Sequence, residues 1–376
     1  MNGYPTWYDP DDDRTALAAW SRLTEPVDDG AGAFVRRVGA AEALGYVLRG
    51  GGAGLAVASR WRARLPDLDP HRDLADLAAV GGRLVVPADD EWPLRLGDLE
   101  VPPLCLWVRG PLRLDTACNR AAAIVGARAG TEYGVRVAAE FARRSAELGI
   151  TVVSGAAYGI DAAAHAGALV GRGATVAVLA SGVDRAYPRG NEPLLERIAA
   201  EGLVVSEVPP RSAPTRTRFV HRNRLIAALA DATLVVEAGV RSGASITARH
   251  ANKLNRPVGA VPGPITSPAS AGCHRLLRDG CICVTSAEEL AELVDPLSAA
   301  PAEQPLPLTS MDELTPLDLR VLDALPLGST AGLHSLARVA GLDLPTLTAG
   351  LGRLELAGLA ERAGGGWRRA LASGGT

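Results

Sequence analysis

The densest cluster of chemically capable side chains lies between Phe219 and Gly263, in the strings FVHRNRLIAALAD and EAGVRSGASITARHANKLNRPVGAVPG. Arg222 and Arg224 flank Asn223 near the start of a predicted helix. Arg241, Ser242 and Gly243 form a polar loop that opens the next one, with Ser245 and Thr247 just inside it. Guanidinium groups beside hydroxyls and helix N-terminal donors suit phosphate oxygens, which accept paired bonds from the planar fork. Any one of these arginines is as often solvated or paired internally, and Glu207 and Glu237 are available partners for Arg222 and Arg224. With Arg128, Arg189, Arg216 and Arg218 expected on the same rim, an anion site is the better reading, and alanine at Arg128 or Arg224 should flatten the salt dependence of binding.

Other chemistry is poorly supported. Asp161 and His165 lie one helical turn apart in GIDAAAH, but no nucleophile or ligand set accompanies them, so a carboxylate helping the helix dipole beside a helical histidine is favoured. Ser154 stands in VVSGAAYG, outside the G-x-S-x-G elbow. After Gly126 the next glycines are Gly130 and Gly134, which is not the dinucleotide-binding spacing, so no cofactor is expected. Lys253 is the single lysine among 39 basic residues and falls in ANKLNRP, which excludes a phosphate-binding P-loop. Cys105, Cys118, Cys273, Cys281 and Cys283 lack CxxC pairs, so neither a bound metal nor a disulfide framework is expected, and a reducing cytoplasm fits.

These side chains need strands and helices to hold them. Ala121 to Val125 is a short apolar run closed by Gly126; a helix follows from Tyr133 to Leu148, then a second buried run, Thr151 to Val153, closed by Ser154-Gly155. Further strands are predicted at 175–179, 203–205, 233–236 and 258–261, with helices between them, and runs at 84–86 and 104–108 read as a strand pair leading into the sheet. This predicts an α/β, Rossmann-like, doubly wound and mostly parallel sheet, whose ligand belongs in the crevice beyond the strand C-termini.

Around it, residues 1–13 read as a disordered polar tail, 14–80 as a helical module, 82–296 as the Rossmann-like domain and 297–314 as a Pro-rich linker. Residues 315–370 read as three helices and a hairpin tipped by Gly364 to Gly366, the plan of a winged helix. The net charge of −3 conceals an asymmetry: residues 1–29 carry seven acids and two bases, whereas 206–256 carries nine bases and three acids. No signal peptide and no membrane-spanning run are expected.

GAR (126–128), SGAAYGIDAAAH (154–165), SGVDRAYPRGN (181–191), SEVPP (206–210), FVHRNRLIA (219–227), EAGVRSGASITA (237–248), VPGPITSPASAGCHRLL (261–277) and VTSAEEL (284–290) together closely resemble the DprA/Smf family of bacterial DNA-processing proteins. The resemblance runs in order from about Gly82 to Leu290, and only loosely covers the ends. It implies a non-catalytic protein that binds single-stranded DNA in a basic pocket, forms a homodimer and loads the RecA recombinase during natural transformation. By position in the motifs it implies phosphate contacts from Arg128 and Arg189, beside Arg222, Asn223, Arg224 and the Arg241-Ser242-Gly243 loop. The strand-end residues Gly126, Ser154 and Gly155 and the rim arginines Arg216 and Arg218 complete the expected DNA site. Two departures stand out: Ala156 and Tyr158 replace the family's usual SGLARGID pattern, removing one arginine and offering a ring that stacks a base or covers the helix, and Val220 replaces a proline.

A nucleotide phosphoribohydrolase with a similar sheet is the rival reading. Its PGGxGTxxE string is absent, and Glu237-Ala-Gly is followed by Val240 and Arg241-Ser-Gly instead.

Overall fold

The computed structural model describes residues 4–50, 58–240, 242–296 and 314–370. Residues up to 296 belong to one compact unit and residues from 314 to a second. The expected linker lies outside the described residues except for its last position, Leu314.

Among the described residues, short apolar runs form a nine-stranded sheet: β1 (Gly82–Val85), β2 (Leu106–Arg109), β3 (Ala121–Val125), β4 (Thr151–Ser154), β5 (Thr175–Leu179), β6 (Leu203–Ser206), β7 (Ala232–Val235), β8 (Val258–Ala260) and β9 (Ile282–Cys283). Every residue of β3 to β8 is buried, as expected of strands covered on both faces. The order is β1-β2-β6-β5-β4-β3-β7-β8-β9. β3 to β9 run parallel, whereas β2 pairs antiparallel with β6 and with β1, the pair anticipated from the sequence.

The chain moves outward from β3 to β6 in one direction and from β7 to β9 in the other. The loops that follow Val125 and Val235, which are register partners, therefore part at the sheet's midpoint. A crevice must open there.

The helix Arg216–Leu229 forms one wall of that crevice. Its second half buries Leu225, Ile226 and Leu229 to 1% exposure or less, each contributing on the order of 2 kcal/mol. Thr215 caps its start by accepting the Arg218 N–H at 3.2 Å. So anchored, the first half can present polar side chains.

The N-terminal module packs on the sheet. Its helices Asp13–Leu23, Asp29–Val38, Ala40–Leu48, Ala58–Arg64 and Pro70–Ala79 enclose Trp20 and Trp61, whose rings meet edge to face at 5.1 Å. Residues 4–12 are not the frayed tail that their acidity suggested. Tyr4 and Tyr8 stack at 4.6 Å, and the Tyr8 hydroxyl donates to the Ala41 carbonyl at 3.0 Å. Two aromatic rings thus supply burial that an all-polar tail would lack. The module is tied down by ions: Asp73, 1% exposed, accepts from Arg22 and Arg211, and Arg22 also reaches the Pro210 carbonyl at 2.6 Å. Glu25 takes both Arg64 and Arg218.

In the second unit the helices Pro316–Ala324, Leu333–Ala340 and Leu344–Leu356 precede an antiparallel hairpin, Ala360–Ala363 with Gly366–Arg369, the order expected from the sequence. Gly364 and Gly365 turn it with φ of 56° and 81°, a two-residue turn that side chains disfavour.

Candidate nucleic-acid interface

At the midpoint of the sheet, a cleft of about 800 Å³ is lined by the loop after β3, the first half of the helix Arg216–Leu229 and the N-terminus of the helix Ala244–Lys253. On one wall the Arg128 guanidinium lies over the Phe219 ring, 4.6 Å from its centroid, and the Tyr187 ring sits 5.5 Å from the Phe219 ring, tilted against it. Arg128 and Arg216 are exposed, and neither has a carboxylate partner among the described residues. The helix Ala244–Lys253 follows Gly243, and its start is tied up locally: the Ser242 hydroxyl accepts the Ala244 N–H at 3.2 Å, and the Asn223 side-chain amide donates to the Gly243 carbonyl at 3.3 Å at the cleft's edge.

The floor is built differently from what the sequence suggested. Arg222 is 5% exposed and donates to the Gly155 carbonyl at 2.7 Å and to the Val178 carbonyl, so burial lowers its pKa to about 10. Gly155 makes room for this: a methyl there would come within 2.5 Å of the guanidinium. Asp161, 6% exposed, takes the backbone N–H groups of Ala157, Gly126 and Gly155. Burial raises its pKa, against the pull of Arg222 and those donors. The protein's own carboxylate therefore occupies the glycine donors that were expected to meet an external anion.

Of the expected site residues, Gly126, Arg128, Arg216, Arg222, Asn223, Ser242 and Gly243 line the cleft. Ser154 is fully buried and donates its hydroxyl to the Ile124 carbonyl at 2.6 Å, and Gly155 lies behind Arg222. Arg189 is exposed on the adjoining turn Arg189–Asn191, where the Tyr158 hydroxyl accepts the Gly190 N–H at 3.2 Å, so Tyr158 braces that turn from outside the cleft lining. Two expectations are corrected. Arg218 belongs to Glu25, at 2.8 and 2.9 Å, and Arg224 points away from the cleft, its Nη2 donating to both Glu207 carboxylate oxygens at 2.6 and 2.7 Å. Arg241 lies outside the described residues.

Phe219 and Tyr187 are the contributors that charge-based reasoning passed over. The signal was present: Phe219 is the first bulky apolar residue in an otherwise polar helix start, and core packing does not require it there.

Asp161 and His165 form no acid/base pair. The buried His165 shares its Nδ1–H with Thr175 Oγ1 at 2.7 Å, and burial lowers its pKa to about 3. Glu237 is also committed, accepting the Thr131 hydroxyl at 2.6 Å and N–H at 2.8 Å. Among the described residues no His, Cys, Asp or Glu cluster could hold a metal, and no helix is long and apolar enough to cross a membrane.

Comparison with known proteins decides the family. The model of DNA recombination-mediator protein A matches residues 83–295. The chain belongs to this family. The DNA processing protein DprA of Mycobacterium tuberculosis is 47% identical over 365 residues, covering 94% of this chain and 93% of that one. Among solved structures, DNA processing protein A from Streptococcus pneumoniae superposes with a TM-score of 0.62 at 29% identity, over 74% of this chain and 95% of its own. DNA processing protein A from Helicobacter pylori, solved for its single-stranded DNA binding mode, gives 0.51 at 28% identity, over 56% and 94%. The DprA/Smf resemblance read from the motifs is thereby established, and the matched region is the domain whose sheet forms the cleft.

Proposed function

We propose that the cleft grips single-stranded DNA with little sequence preference and breaks no bond in it. The observation that carries this reading is the Arg128, Phe219 and Tyr187 arrangement, in which a cation and two partly exposed rings face one open cleft. Phosphates need the first and unstacked bases the second; a duplex hides its base faces and can use only the cation. Membership of the family and the single-stranded DNA binding of the H. pylori relative support it.

The test is fluorescence anisotropy on oligonucleotides of one length. Wild-type protein is expected to bind a single strand well above the matching duplex, and Arg128→Ala to lose most of that binding. Equal binding to both forms, unchanged in the variant, would remove the cleft from consideration.

The finer reading follows the family likeness: a cytoplasmic homodimer that protects incoming DNA and loads a RecA recombinase during transformation. The open edge of the sheet supports self-association, since β9 is terminal and Ile282 on it is 46% exposed. Light scattering, and filament assembly on coated single strands, test the two parts separately. The phosphoribohydrolase reading is not favoured, because it needs Glu237 accessible and that side chain is 1% exposed. AMP should release no base.

A further inference from the structure

The cleft leaves Tyr158 outside its lining, although this large side chain is 49% exposed beside it. The loop that carries Tyr158, residues 156–159, lies between two cations. At one end it packs on the backbone of Arg128. A Cβ on Gly159 would fall 2.4 Å from the Ala127 carbonyl oxygen and 2.5 Å from that of Arg128, and the Ile160 N–H donates to the Ala127 carbonyl at 3.2 Å. At the other end the Tyr158 hydroxyl accepts, at 3.2 Å, the N–H of the peptide that joins Arg189 to Gly190.

This second contact is close as well as bonded. A methyl on Gly190 would lie 2.6 Å from the Tyr158 hydroxyl oxygen and 3.0 Å from a ring carbon, so the ring rests on the turn itself. Beside it Asn191, 9% exposed, donates its side-chain amide to the Ala156 carbonyl at 2.9 Å. The loop is held in its own right: Ala156 and Gly159 take φ of 54° and 77°, and Asp161 accepts the Ala157 N–H at 3.5 Å. A piece fixed by packing and hydrogen bonds at both ends sets the separation of what it joins.

What it joins are the Arg128 backbone and the Arg189 turn. Arg189 is exposed and has no carboxylate partner among the described residues. It follows Tyr187, which lines the cleft, by two residues, so its Cα lies within about 7 Å of the Tyr187 Cα. An arginine on a loose turn would lose conformational freedom on gripping an anion; one on a braced turn loses less.

We propose that Tyr158 is a positioning residue for the DNA site: it braces the Arg189 turn at a fixed distance from Arg128, so that the two guanidinium groups meet separate phosphates of one strand. Arg189 then takes a phosphate beyond the nucleotide that lies on Tyr187, and strands long enough to reach the turn bind more tightly than strands that only fill the cleft. This inference rests on the single-strand reading of the cleft, and the experiment separates the two.

Thymidine oligonucleotides of about four and about twelve nucleotides, within the usual span of single-strand sites, are titrated by anisotropy at several salt concentrations. On the long strand, Tyr158→Ala should bind about tenfold more weakly than wild type, the worth of one hydrogen bond to a charged group. Its slope of log K against log salt should be shallower by about 0.7, one phosphate contact, matching Arg189→Ala. On the short strand both variants should bind as wild type does. Tyr158→Phe, which keeps the ring on Gly190 and loses only the hydroxyl, should fall between wild type and Tyr158→Ala. Adding Tyr158→Ala to Arg189→Ala should cost nothing further, since the first acts through the second. Should Tyr158→Ala fail to fold, Gly190→Ala, which drives a methyl against the ring, serves in its place. The proposal is overturned if folded Tyr158→Ala or Gly190→Ala keeps wild-type affinity and slope on the long strand, if the loss is equal on both lengths, or if it adds in full to that of Arg189→Ala. Loss of single-strand preference in the wild type itself, or full binding by Arg128→Ala, would instead sink the cleft reading beneath it.

Discussion

The Arg128 guanidinium lies 4.6 Å from the centre of the Phe219 ring, so a cation and a flat aromatic face form one unit. Arg128→Lys is then not a conservative change, since an ammonium keeps the charge but not the flat stacking partner. Its single-strand affinity should fall between those of wild type and Arg128→Ala, measured by anisotropy at fixed salt.

Phe219→Ala and Arg216→Ala should fail in different ways. Loss of the ring removes base stacking, about 1–3 kcal/mol per base, and leaves the salt slope as it was. Loss of the Arg216 charge should make the slope of log K against log salt shallower by about 0.7, the single-strand value for one phosphate contact. Titrations from low to high salt on both variants separate the contributions.

Arg224→Ala should report on folding more than on DNA. It strands Glu207, 13% exposed in its side chain and already pushed up by burial, without its cation. Breaking a buried pair in this way costs about 3–5 kcal/mol. A drop in Tm with an unchanged salt slope is expected; the reverse pattern would return Arg224 to the cleft.

Gly155→Ala should press a methyl against the Arg222 guanidinium. Overpacking of this kind costs about 1–3 kcal/mol. Chemical denaturation measures it, and single-strand affinity should fall as the cleft floor shifts.

His165 gives a pH dependence of known sign. Its ordinary pKa of 6.5 falls to about 3 in the fold, so between these values the unfolded chain binds a proton that the folded chain refuses. Stability is therefore lost as pH drops below about 6.5. His165→Gln should show a shallower loss over pH 6 to 4 than wild type in urea melts at successive pH values.

The sheet was legible because parallel strands buried on both faces announce themselves as apolar runs ended by glycine or serine, as at Gly126 and Ser154. Two-residue β9 carries too little pattern to be read. The location of the crevice followed from topology, but its lining did not follow from arginine count. Arg222 and Arg224 sit two residues apart, which on a helix is a turn of about 200°, so both cannot face one cleft. Helical phase alone would have divided them. The capture of Arg218 by Glu25 joins residues 193 positions apart, and no local pattern reports it. Charge composition likewise hid the role of Phe219, which depends on what lies above the ring.

The ties at Asp73 and Glu25 also bear on how freely the front of this chain can be exchanged. A graft that swaps residues 14–80 for a foreign helical bundle would maroon Arg211 and Arg218 beside a surface offering no carboxylates. Homologous fronts should transplant well only when they bring acids at those two places, whatever else in them has drifted.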